Sequence, residues 1–156
     1  MVSKKMYFLV SVLLCAGLIA ASAFAVLPPK YYAKAAEESN IKATAVVKSV
    51  KVLEHHKAVD YKRVTFELIK SYGPEKPPKE FTGRCESVNK RWWEKSPGVG
   101  GTIYYYPKKK EKAYVTINHN DGSITSYTRL TPKLEKALDT DFKSVKTKMG
   151  TAYAGK

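Results

Sequence analysis

The chain has 156 residues, and its 28 Lys and Arg against 14 Asp and Glu give a net charge of +14. That length fits one domain with a modest single core. Of the two cysteines, Cys15 lies in an apolar N-terminal run, so removal of that run leaves Cys85 alone and excludes an internal disulfide.

Lys4 and Lys5 precede an uncharged apolar stretch that exits through Ala23-Phe24-Ala25. This is the pattern of a signal peptide over 1–25, cleaved after Ala25, and it predicts an exported protein, periplasmic or extracellular. A retained anchor is the alternative, because no charge occurs between Met6 and Pro29. With the leader cleaved, no transmembrane segment is expected in the mature chain. Cys15 follows Leu14 instead of a small residue and is a poor acylation site. The excess of cations survives removal of the leader, which takes away only Lys4 and Lys5. It favours a polyanion such as nucleic acid, an acidic glycan or anionic lipid, or an acidic protein; the plainer alternative is a self-repelling, soluble surface.

Residues 26–40 form a lead-in with a short helix opened by Pro29. From Ile41 to Leu53 a β-branched run changes its apolar parity near Val46 and Val47, which predicts a bulge. After a turn at His55-His56-Lys57, Val64, Phe66 and Leu68 alternate with Arg63, Thr65 and Glu67, the clearest one-sided strand of the chain. The Gly73 to Pro78 stretch ends it, since proline cannot continue a ladder. Glu80 to Val88 resumes with Phe81, Gly83 and Cys85 on one parity; Cys85 reads as a buried inert thiol, with a reactive or intermolecular role as the alternative. Asn89 to Gly101 reads as a loop. Thr102 to Thr131 contains three β-rich runs, the last two folded into a hairpin by Asn120-Asp121-Gly122.

Thr131 caps a helix that starts at Pro132 and is expected over 132–150. Leu134, Leu138, Phe142, Val145 and Met149 form its apolar stripe, while Lys133, Lys136, Lys143 and Lys146 stay wet; Asp139 to Asp141 is a place for a break. Residues 151–156 are expected to be a frayed tail. The fold class that emerges is mainly β: a small antiparallel barrel over 41–131 followed by a C-terminal amphipathic helix.

The runs KATAVVKSVKV, RVTFELIKSYG with its proline turn, FTGRC and PGVGGTIYYYP resemble the OB-like barrel of netrin-like and metalloproteinase-inhibitor-like exported domains, over residues 41–130. The resemblance implies an OB-like shape. The disulfides and N-terminal cysteine of that family are absent, so it carries over shape and not inhibitory activity.

Binding candidates are Lys90, Arg91, Trp92 and Trp93, where indoles stand among cations, with Tyr104, Lys108, Lys109 and Lys110 as secondary contributors. The competing structural reading puts one Trp in the core and the other over a loop. His55, His56 and His119 invite a metal reading, but adjacent histidines point apart and no Cys or His partner stands at ligand spacing, so no metal site is expected. The Asn118 to Gly122 run lacks the acids of a calcium loop, and the Gly98 to Gly101 run lacks the Lys-Ser or Lys-Thr of a phosphate loop. No cofactor is expected. The chain contains neither G-x-S-x-G nor H-E-x-x-H, so enzyme activity has no motif behind it. The reading is an exported, non-catalytic binding module with a basic and aromatic surface. Alternatives are a protein-binding inhibitor or envelope assembly factor, and a secreted hydrolase such as a nuclease that uses Glu67 or Glu86.

Overall fold

A computed structural model describes residues 27–56, 59–88 and 102–155. Residues 1–25, read above as a signal peptide, and the binding candidates Lys90, Arg91, Trp92 and Trp93 lie outside the described residues. Helix α1 (Pro29–Glu37) opens on proline as its fixed φ favours, and Ser39 Oγ donates to the Ala35 carbonyl at its end, 2.8 Å. Five strands follow: β1 (Ile41–His56), β2 (Val59–Ser71), β3 (Glu80–Val88), β4 (Lys112–Ile117) and β5 (Ile124–Arg129). They form one antiparallel sheet in the order β3-β2-β1-β4-β5.

The expected bulge in β1 is present, and its ladder with β2 shifts register at Thr44/Ala45, Val47/Ser49 and Val52/Glu54. Each extra residue adds local twist and bend. The first half of β1 pairs with β4 as well as β2, whereas its second half pairs with β2 alone. Alternation places Ala43, Ala45 and Val47 of β1, Val64 and Phe66 of β2, and Val115 of β4 in one core, all fully shielded. Phe66 stacks on Phe81 with ring centroids 5.3 Å apart. Leu68 is partly buried against the same core.

A second layer covers the other face of β4. Tyr114 packs with Leu134, Leu138 and Ala152, and Phe142 and Tyr72 complete the cluster. Strand β4 is therefore buried on both faces from Ala113 to Ile117. The hairpin turn is as the sequence predicts. Gly122 adopts φ +69, and Asp121 accepts from Ser123 N at 2.9 Å and Ser123 Oγ at 2.7 Å.

The structure corrects four expectations. No closed barrel is present: β3 and β5 touch at one isolated parallel bridge, Arg84 to Ser123, with Arg84 N donating to Gly122 O at 2.8 Å. Beyond that bridge both edges are already occupied. Tyr105 N donates to Glu86 O on the β3 side, while on the β5 side Tyr127 N donates to Gly150 O and Thr128 Oγ1 accepts from Ala152 N. The Ile103 to Tyr106 run is correspondingly irregular and not a strand.

The C-terminal helix also stops early. Thr131 Oγ1 caps it through Leu134 N at 3.2 Å, and α2 (Pro132–Thr140) presents Leu134 and Leu138 inward as expected. At Asp141 the backbone leaves the helix (φ −150, ψ 79), and a 3-10 turn (Phe142–Ser144) leads into a hairpin of β6 (Val145–Lys148) and β7 (Thr151–Ala154). Thr140 Oγ1 and Ser144 Oγ bond back to the carbonyls of Lys136 and Asp141, the local competition by which short hydroxyl side chains weaken helices. Met149 and Gly150 both take positive φ, +48 and +72, as the tight hairpin turn between β6 and β7 requires. Residues 151–154 are thus strand and not frayed tail, and Met149 is 42% exposed instead of lying on an apolar stripe.

Candidate anion-binding face

Register decides which surface side chains meet. The β1–β2 and β2–β3 ladders set Lys51 opposite Arg63 and Arg63 opposite Arg84, a row of three exposed cations across three neighbouring strands. Adjacent strands lie ~5 Å apart, so the row spans roughly 10 Å at the backbone. Like charges directly opposite one another destabilise a sheet. Among the described residues, Lys51 and Arg63 form no ion pair. Arg84 Nη2 donates to the Asp121 carbonyl oxygen, which fixes one end of the row against the β4–β5 turn.

The next row on this face, along the strands in one direction, is Ser49, Thr65 and Thr82. Their three hydroxyls have no hydrogen-bond partner among the described residues, so they are available to an incoming acceptor. In the other direction lie Glu54, Tyr61 and Glu86. Tyr61 is 39% exposed, and Tyr106, which follows the Tyr105 N to Glu86 O bond (2.9 Å), is 51% exposed. The face therefore runs in stripes: hydroxyls, cations, then a ring between carboxylates.

The Tyr104 to Tyr106 run behaves partly as alternation predicts. Tyr105 is buried in the core and donates to Thr125 O at 2.8 Å. Burial pushes its phenol well above the ordinary range. Tyr104 is half-buried, and its hydroxyl is shielded without a partner among the described residues. Burial raises its pKa first, with Glu86, Tyr106 and Tyr61 adding to the shift, so Tyr104 belongs to the aromatic end of the face.

Lys108, Lys109 and Lys110 are exposed on a turn that docks on β1. Lys110 N donates to Val47 O at 2.8 Å, Glu111 N to Lys108 O at 3.1 Å, and Lys110 itself holds φ +69. Val47 lies four residues from Lys51, roughly 13 Å along the strand, so this knot is a separate feature and does not join the row. Glu67 and Glu86 are not a carboxylate pair either. Glu67 stands opposite Glu80 and Glu86 opposite Tyr61, six positions or ~20 Å apart along β2. Glu80 is occupied by Lys48 at 2.5 Å, and Lys48 together with Lys79 holds its carboxyl below the usual range. Among the described residues, no group of His, Cys, Asp and Glu is arranged to hold a metal. Cys85 is buried, and burial raises its thiol to about 11.

Sequence reading missed the row because it is made by register and not by sequence proximity. A usable signal was present: the tight connection between His56 and Val59 fixes the hairpin, and one bulge then brings Lys51 onto Arg63. Among the described residues no helix is long and apolar enough to cross a membrane. No family model matches the chain, and no curated protein or solved structure is similar to it.

Proposed function

We propose that this protein is an exported, non-catalytic binding module whose outward β1–β2–β3 face holds an anionic polymer. The observation that carries the reading is the Lys51, Arg63, Arg84 row: three cations in cross-strand register, none of them in an ion pair among the described residues. A bare like-charge row costs stability, and an anion laid along it removes that cost. The adjacent Ser49, Thr65 and Thr82 hydroxyls supply neutral donors to the same anion. Export rests on the Lys4, Lys5 and Ala23-Phe24-Ala25 pattern.

The strand order, with β3 and β5 approaching in parallel at Arg84 and Ser123, supports an OB-like barrel of the partly open kind, as the netrin-like resemblance implies. Such barrels use the β2–β3 face for extended ligands.

Inorganic polyphosphate is the discriminating probe, because it is a thin anion that can follow one row. The logarithm of the affinity should fall linearly with the logarithm of the salt concentration. The double variant Lys51→Gln and Arg63→Gln should flatten that slope by about 1.4 units, at ~0.7 per lost contact. A charge-matched double variant on α2, Lys133→Gln and Lys136→Gln, should leave it unchanged. Equal losses from both pairs would mean that net charge alone attracts the polymer, and the proposed face would be withdrawn.

A further inference from the structure

Beyond the cation row, the face is polarised. Lys51, Arg63 and Arg84 occupy one row, whereas the next places Tyr61 between the carboxylates of Glu54 and Glu86. The row spacing along a strand is ~7 Å, two residues' rise. Tyr106, Tyr104 and Tyr61 gather at the Glu86 end, with Tyr61 and Tyr106 presenting open rings. A ligand charged on every side, such as a heavily sulfated glycan, would set anions against Glu54 and Glu86. A matching ligand carries its charge along one edge and neutral, flat, hydrogen-bond-donating groups along the other. Single-stranded nucleic acid has that distribution: phosphates suit the cation row, base faces suit the tyrosines, and base N–H groups, the ring N–H of thymine among them, suit the carboxylates. Duplex ends the match, because its bases are already stacked and paired.

We infer that the outward β1–β2–β3 face binds single-stranded nucleic acid, with phosphates on Lys51, Arg63 and Arg84 and bases stacked on Tyr61 and Tyr106. This deepens the anion-binding reading above and rests on it. The ladder fixes the polarity of binding: the backbone crosses the strands along the cation row, and the bases turn toward the end of the β1–β2 hairpin.

Fluorescence anisotropy of the purified protein with a labelled single-stranded oligothymidylate, a duplex and polyphosphate of matched charge tests it. The oligothymidylate should bind at least tenfold tighter than either competitor. Tyr61→Ala and Tyr106→Ala should each weaken it by about five- to a hundredfold while leaving polyphosphate affinity and the salt slope unchanged. Unchanged thermal unfolding midpoints verify that both exposed-ring variants fold, and Tyr61→Leu, which keeps apolar cover without an aromatic face, should lose the same affinity as Tyr61→Ala. Polyphosphate binding that depends on Arg63, with an oligothymidylate no tighter and indifferent to Tyr61, would overturn this inference and leave the anion-binding reading standing. Binding of neither probe would overturn both.

Discussion

Replacing Arg63 by Gln removes the middle charge of the row and should make the free protein more stable. Arg63 faces Lys51 on one side and Arg84 on the other, and among the described residues it has no carboxylate partner to lose. Two unit charges 4 Å apart in water interact by ~1 kcal/mol. The guanidinium and ammonium ends of long side chains splay further apart, and a Debye length of ~10 Å at 0.1 M salt weakens them again. Each contact then amounts to a few tenths of a kcal/mol, and relief of both to ~0.5 kcal/mol, within the range for cross-strand pairs. With an m-value of ~1–3 kcal/mol/M, the urea midpoint should rise by ~0.2–0.5 M at low salt. At 1 M salt, where the Debye length is ~3 Å, the gain should disappear. The same variant should bind polyphosphate more weakly. An Arg63→Gln protein less stable than the parent at low salt would mean that the arginine is held by a structural partner, and the argument from an uncompensated row would fail.

Further tests address the fold that carries this face. Ala at Gly83 would place its Cβ 2.7 Å from Ile124 Cγ1 and 3.0 Å from Ile117 Cδ1, so denaturant unfolding should report a loss of ~1–3 kcal/mol despite the usual strand advantage of Ala over Gly. Phe66→Ala empties a fully shielded site stacked on Phe81 and should cost ~3–5 kcal/mol, measured by the shift in urea midpoint. Thr131→Ala removes the cap of α2 and should cost ~1 kcal/mol in the same assay. The Cys85 thiol is raised from 9.0 to about 11 by burial, so the unfolded chain loses its proton first. Below pH 9 the thiol adds no pH dependence; between 9 and about 11 the unfolded state binds fewer protons, and stability falls as pH rises. Cys85→Ala should flatten part of that fall, and thiol reagents should label native Cys85 slowly until denaturant is added.

Local chemistry made much of the framework legible. The Val64, Phe66 and Leu68 alternation, the Asn120-Asp121-Gly122 turn, the Thr131 cap and the β1 bulge each depend on residues close in sequence, and each is present. What was not legible depends on partners far along the chain. Tyr114 alternates with the core residues Ala113 and Val115, yet Leu134 and Leu138 of α2 and Ala152 of β7 cover it from the other side. The stripe from Leu134 to Met149 fits a helical period, but Thr140, Ser144 and the Met149-Gly150 turn favour a hairpin that then takes the β5 edge. The bonds that Gly150 and Tyr105 make to the β5 and β3 edges also join residues far apart in sequence. For the candidate site, the basic character and Tyr104 were visible in composition and pattern. The meeting of Lys51, Arg63 and Arg84 needed two registers at once, one of them shifted by bulges.

The most direct test of the anion-binding face is a titration of the isotopically labelled protein with polyphosphate, followed through backbone and arginine side-chain NMR shifts. The account predicts changes concentrated at Lys51, Arg63, Thr82 and Arg84 that reverse on adding salt. Changes centred on Lys133, Lys136 and Lys143, or spread evenly over all lysines, would contradict it.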